Sequence, residues 1–171
     1  MSLQIKIASV ADAQLISDLS KQTFYEAFYA DNTKEDMDLF LAENFNLKET
    51  IDEFENGLNT FYTVCNEDEV FGYATLRESK NAEDLIKVKS ILLARIYLLN
   101  KHIGKGAGKL LMQQCISEAT LRGNQIIWLT VWERNPRAIE FYTSFGFAKF
   151  GEEKFVLGND VQNDWMMMKE L

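Results

Sequence analysis

The stretch "NKHIGKGAGKLL", Asn100–Leu111, decides how this chain is read. Before it runs "SILLARIYLLN", a β-rich apolar segment with the character of a buried central strand. After it, Leu110, Leu111, Cys115 and Ala119 recur at helical spacing until Gly123. Between them Gly104, Gly106 and Gly108 alternate with Lys105 and Ala107. Strand, glycine turn and helix in this order place free backbone amides at a helix start, where an anion such as a diphosphate is favoured. Lys105 and Lys109 add charge. Two common phosphate loops fail here. Aligned on Gly108-Lys109, the nucleotide-hydrolase loop needs glycine where Ile103 stands and a hydroxyl where Leu110 stands. The dinucleotide fingerprint beginning at Gly104 needs a glycine at Lys109. On this stretch alone, a β–α turn without a ligand stays equally open.

Working outward, "LQIKIAS" alternates as a first strand, Gln4 to Ala8, and "SVADAQLISDLSKQTFYEAFYA" follows as a helix capped by Ser9 or Asp12. "TKEDMDLFLAENF" is a second helix with a capping-box-like Thr33 and Asp36, and "NLKETIDEFEN" a third, ended by Gly57. Thr60–Cys65 and Val70–Leu76 form a hairpin across "NEDE". "SKNAEDLIKVK" reads as a polar connection. Beyond the glycine helix come the strand "QIIWLTVW" and the helix "RNPRAIEFYTSFGF", with Asn135 at its N-cap and Pro136 in its first turn. "FAKFGEEKFVLG" and "NDWMMMKEL" are closing strands joined by the loop "GNDVQ". The pattern predicts one α/β domain over residues 1–171: a mixed sheet with helices on both faces.

Bulk properties bound the function. Of 171 residues, 47% are hydrophobic and 12% aromatic, which predicts an ordered core. No apolar run is long enough for a membrane span, and the polar "MSLQIKIASVADAQ" argues against a signal peptide. Two cysteines, Cys65 and Cys115, and one histidine, His102, offer no metal spacing and no disulfide framework, so a reduced cytoplasmic setting and no metal are expected. His102 reads as a surface loop residue rather than a base. The net charge of −8 disfavours nucleic acid as a direct partner. From Asp31 to Glu55 nine acidic residues face two basic ones, Lys34 and Lys48. The plain reading is a solvated helical face; the sharper one is a field that attracts cations.

The segment Arg95–Phe147 resembles the GCN5-related N-acetyltransferase (GNAT) family. That family's coenzyme-A loop, Q/R-x-x-G-x-G/A, aligns on Ile103–Gly108, with Ile103 departing from the usual Gln or Arg. Its later element, N-x-x-A-x-x-[FY]-Y-x-x-x-G-F, is matched by Asn135, Ala138, Phe141, Tyr142, Gly146 and Phe147. The tail "VLGNDVQNDWMMMKEL" and the N-terminal "TFYEAF" are similar to the PaiA-type branch, which acetylates spermidine and spermine. The resemblance implies a single GNAT domain whose mostly antiparallel sheet is split by a β-bulge at the end of "ARIYLL".

The implied reaction moves acetyl from acetyl-CoA to a primary amine. For the cofactor it implies main-chain contacts at Leu98 and Leu99, a pyrophosphate cradle from Gly104, Lys105, Gly106, Ala107, Gly108 and Lys109, and coenzyme contacts at Asn135 and Ala138. Tyr142 would be the general acid to the departing thiolate, since a phenol of pKa about 10 is protonated at neutral pH. No base stands out; Glu133 and Tyr97 are candidates for a water relay, Glu133 reading better as a surface residue and Tyr97 equally as a pocket wall. The acceptor would be a small cationic amine, a polyamine, met by Glu26, Asp31, Glu35 or Asp36 and by the aromatic walls Phe28 and Tyr97. Two alternatives remain: a protein lysine or N-terminal amine as acceptor, or a coenzyme A-binding regulator with little turnover. A homodimer is compatible with the chain.

Overall fold

The computed structural model describes residues 2–78, 82 and 85–171. The alternating N-terminus forms β1 (Gln4–Ile7), which leads through a short 3-10 turn into α1 (Ala13–Phe28). Ser9 and Asp12 share that start: the Asp12 carboxylate accepts the Ser9 N–H at 2.8 Å. The second and third helices are α2 (Lys34–Asn44) and α3 (Leu47–Glu55). Thr33 caps α2 by accepting the Asp36 N–H at 3.1 Å, and Asn46 caps α3 by accepting that of Glu49 at 2.9 Å. Then follow β2 (Asn59–Cys65), β3 (Val70–Arg77), β4 (Ser90–Leu98), α4 (Ala107–Leu121), β5 (Ile126–Trp132), α5 (Pro136–Ser144), β6 (Ala148–Leu157) and β7 (Asp160–Glu170).

The seven strands make one sheet in the order β1-β2-β3-β4-β5-β7-β6, antiparallel except for β4 and β5. A parallel pair needs a crossover, and α4 provides it. The expected mixed, mostly antiparallel sheet is therefore present. The first three helices cover one face: Phe24 and Phe28 of α1 meet the Tyr97 ring at 6.2 and 6.4 Å, and Phe54 of α3 stacks on Phe61 at 4.2 Å. Helices α4 and α5 cover the other, joined to the main core through buried Leu111, Met112, Cys115 and Ala119. Leu110, expected in that buried row, is only half-buried, and Met112 takes its place.

Three further expectations change. The connection read as polar lies partly outside the described residues, but its Ala82 and Ile86 are buried beside Trp128 and Met166. The loop "GNDVQ" shrinks to a two-residue turn, because Leu157 already pairs with Asp160. The bulge falls earlier than the end of the strand. Thr75 pairs with Arg95 and Leu76 with Leu93, so Ala94 is the extra residue. Just there β4 leaves β5, whose last pairing is Leu92 with Trp128.

Gly72 shows how closely the layers meet at this point. A Cβ there would lie 2.2 Å from Leu98 Cδ2 and 2.9 Å from the Tyr97 carbonyl oxygen. Only glycine lets β3 run beneath the Leu98 side chain without pushing it aside.

Candidate active site

The splay of β4 from β5 opens a cavity of about 1070 Å³ that reaches both faces of the sheet. On the α4–α5 side its lining includes Gly104, Gly106, Gly108, Lys109, Asn135 and Tyr142. On the α1–α2 side it includes Phe24, Phe28, Phe40, Phe45, Tyr97 and Trp132. Leu98, at the end of β4, lies on the passage between them.

The glycine turn is built for backbone contact. Gly104 and Gly106 have φ of +83° and +90°, and a Cβ on either would meet nothing within 4 Å. Their role is conformational rather than steric. The first backbone bond of α4 runs from the Leu110 N–H to the Gly106 carbonyl at 3.1 Å. The amides of Ala107, Gly108 and Lys109 thus have no partner within the helix and sit at its positive end. Gly108 would place a Cβ 3.6 Å from both Leu98 and Phe141, which ties the turn to the end of β4 and to α5. Ile103 lines the cavity as a half-buried apolar residue where the family motif carries Gln or Arg.

Leu98 and Leu99 part company. The Leu99 N–H donates to the Phe71 carbonyl at 2.9 Å and its side chain is buried, so its amide is committed to the sheet. Strand alternation turns the Leu98 N–H to the opposite edge, which has no strand partner beyond Leu92. Lys105 is exposed and the Ala107 side chain is buried; neither lines the cavity.

Asn135 holds the start of α5, its side-chain oxygen accepting the Ala138 N–H at 3.2 Å. Both residues line the cavity, and the Asn135 Nδ2 has no partner among the described residues. Tyr142 packs against Phe141 and Phe147 at ring distances of 5.6 and 6.1 Å. Burial pushes its phenol above the ordinary tyrosine range. Among the described residues the hydroxyl has no hydrogen-bond partner, so its proton is available to a guest.

The acceptor-side residues divide. Phe28 stands between Tyr97 and Trp132, at 6.4 and 6.3 Å. Glu26 lines the cavity, but its carboxylate accepts the Asn100 N–H at 2.7 Å and so braces the turn ahead of the glycines. Asp31 is exposed and outside the lining. Asp36 is engaged elsewhere, accepting the Asn159 N–H at 2.7 Å. Much of the acidic segment is a solvated face, with exposed pairs such as Lys48–Asp52. Tyr97 is raised well above the ordinary phenol range by burial and then by Tyr73 and Tyr142, which suits a wall rather than a base. Glu133 is exposed, accepts the Asn163 amide at 3.1 Å, and does not line the cavity. His102 is not a free surface residue: it stacks on Phe71 at 3.9 Å and bonds Glu69 at 2.8 Å.

Two features escaped the sequence reading. Arg95 pairs with Glu53 through two bonds of 2.9 and 2.8 Å, and Arg77 reaches the same carboxylate at 3.3 Å. Both arginines line the cavity, and Arg95 lies over the Phe45 ring at 4.9 Å. The second feature is Asp164 of β7, a buried residue that lines the same cavity and whose enclosed Oδ1 has no hydrogen-bond partner among the described residues. Each had a signal, a charged residue inside an apolar strand: Arg95 in "SILLARIYLL" and Asp164 in "NDWMMM".

Comparison with known proteins agrees with this architecture. Residues 21–147 match the model of the acetyltransferase (GNAT) family. A protein of Lactobacillus delbrueckii subsp. lactis, named an uncharacterised N-acetyltransferase, is 32% identical over 169 residues, 98% of each chain. Among solved structures, the PaiA N-acetyltransferase of Thermoplasma acidophilum in complex with coenzyme A superposes with a TM-score of 0.80, at 19% identity and full coverage of both chains. The structure of yncA from Salmonella typhimurium with its cofactor acetyl-CoA gives 0.69, at 20% identity over 100% of this chain and 95% of that one. With the glycine turn at the head of α4 and Asn135 and Tyr142 beside it on the same face of the split sheet, the chain belongs to the GNAT family of acetyltransferases.

Proposed function

We propose that residues 1–171 act as a single domain that transfers acetyl from acetyl-CoA to a small primary amine, with a polyamine of the spermidine type as the leading acceptor. The observation that carries this reading is the continuous cavity through the split sheet. It joins a diphosphate-shaped turn to an aromatic chamber past one protonated phenol.

The amides of Gly104 to Lys109 hold the pyrophosphate, with Lys109 adding charge at the cavity edge. Asn135 and the Leu98 N–H position the pantetheine arm and the acetyl oxygen, so that the developing oxyanion meets a fixed donor. Tyr142 gives its proton to the departing thiolate; its raised pKa keeps that proton in place until the sulfur becomes basic. On the other side, Phe28, Tyr97 and Trp132 offer ring faces to a cation.

A second acceptor class is favoured by one specific observation. Arg77 and Arg95 share a single carboxylate, which leaves a local excess of positive charge on the cavity wall. That arrangement suits an amine carrying a carboxylate, such as an amino acid or a peptide N-terminus. One panel decides. Purified protein with acetyl-CoA is assayed for thiol release with spermidine, spermine, simple diamines, amino acids and short peptides. Release with spermidine above the carboxylate-bearing amines supports the polyamine reading, and the reverse order supports the second. No release above background with any amine would overturn the enzymatic assignment to this amine class.

A further inference from the structure

We propose that Asp164 takes the proton from the acceptor ammonium and presents the free amine to the thioester. The proposal rests on the acetyl-transfer reading above and names a group for which that reading has no residue.

The acceptor reaches neutral water as a cation. A primary amine of pKa about 10.4 is neutral only about once in several thousand molecules at pH 7. A site that binds the ammonium needs an anion inside the cavity and a place for one proton. Asp164 supplies both. Its side chain is 7% exposed, and Oδ1 is buried without a hydrogen-bond partner. No ion pair or hydrogen bond among the described residues reaches the carboxyl. Buried carboxylates without partners are costly, and a catalytic role is one reason for a protein to keep one at a cavity wall. β7 places it well: Asp164 pairs with Trp132 across one edge and Glu153 across the other, and Gln162 shares its face.

Its surroundings favour proton uptake. Glu153 faces it from β6, Glu133 from the turn after β5, and the Tyr97 phenol from β4. The cationic side chains of the cavity, Arg77, Arg95, Lys109 and Arg137, form no ion pair with it. Burial first, and then the charges of Glu153 and Glu133, raise the carboxyl to about 6. At pH 7 it is ionised, ready to accept, and a far better match to an ammonium than an ordinary surface aspartate.

The step balances. The ammonium R–NH3+ gives one proton to Asp164. The resulting R–NH2 attacks the thioester carbon; the C–N bond forms and the C–S bond breaks. The thiolate takes the Tyr142 proton, and the phenolate recovers one from the acylated nitrogen. Asp164 then releases its proton to solvent through the open cavity, leaving amide, free thiol and one H+.

The test is Asp164→Asn, close in shape and unable to accept this proton, compared with wild type across pH 5.5–9.5 on the best amine of the panel. Wild-type kcat/KM should rise through an apparent pKa near 6. The variant should lose about 100-fold at pH 7 and lack that limb. Its deficit should shrink towards pH 9.5, where the amine is increasingly neutral without help. Acetyl-CoA affinity, by calorimetry, should stay within about twofold. Asp164→Glu should recover part of the rate together with the acidic limb. An Asn variant with wild-type kcat/KM and an unchanged profile overturns the proposal while the transferase assignment stands. So does loss of acetyl-CoA affinity in step with activity, which would mark Asp164 as structural. A wild type that turns over no amine overturns both readings at once.

Discussion

In the proposed reaction, Tyr142 is the residue on which leaving-group chemistry turns. Burial keeps its phenol protonated, its hydroxyl has no partner among the described residues, and it lines the passage where α5 meets the end of β4. Phenylalanine keeps the ring contacts with Phe141 and Phe147 and deletes only the hydroxyl. Tyr142→Phe should therefore lower kcat by 10²-fold or more, the usual reach of a positioned acid. Acetyl-CoA affinity and melting temperature should change little. Steady-state kinetics with calorimetry check this, and unchanged kcat would remove Tyr142 from the chemistry. This residue was legible only because "N-x-x-A-x-x-F-Y" gave its context; a tyrosine beside a phenylalanine has no such meaning alone. Asp164 and Arg95 were the reverse case. Their meaning comes from where β7 and β4 lie in the sheet, and neither belongs to a recognisable spacing.

At the level of elements, the glycine turn owes its shape to φ. Gly106 caps α4 at φ +90° with open space where a Cβ would sit, so alanine there would cost only the left-handed backbone strain, roughly 1–2 kcal/mol. The relaxed turn would swing the free amides of Ala107 to Lys109 off their common target. Gly106→Ala should raise the acetyl-CoA Kd at least tenfold, whereas Lys105→Ala, at an exposed position outside the lining, should change it by less than threefold. Titration calorimetry on both variants checks the pair, and equal effects would mean that side-chain charge does the holding. The element boundaries themselves were readable because caps and breakers mark them: Thr33, Asn46 and Asn135 at helix starts, Gly123 at a helix end. The bulge at Ala94 was placed too late. A bulge depends on which residues of the neighbouring strand pair across it, and "SILLARIYLL" contains no glycine or proline to announce it.

Across the whole molecule, the cavity trades stability for chemistry, and Asp164 makes the trade measurable. The sheet is divided where a continuous one would pair β4 with β5 along their full length. The acid on the inner wall is then held against both burial and like charge. Its folded pKa, about 6, lies above the unfolded value near 3.8. The folded state binds this proton more tightly than the unfolded chain does. Stability attributable to Asp164 is thus highest below the unfolded value, falls as pH rises through the window from about 4 to about 6, and stays reduced above it. A shift of that size corresponds to about 3 kcal/mol. Asparagine removes the ionisation and with it the pH-dependent penalty. The gap in unfolding free energy between Asp164→Asn and wild type should therefore grow by about 2 kcal/mol in the variant's favour from pH 4 to pH 7, most of the full range. Urea titrations at the two pH values read that change directly, since groups common to both proteins cancel. A gap independent of pH would mean that the carboxyl is solvated in the folded protein, and the cavity would then lack the desolvated anion on which the proposed grip on an ammonium depends.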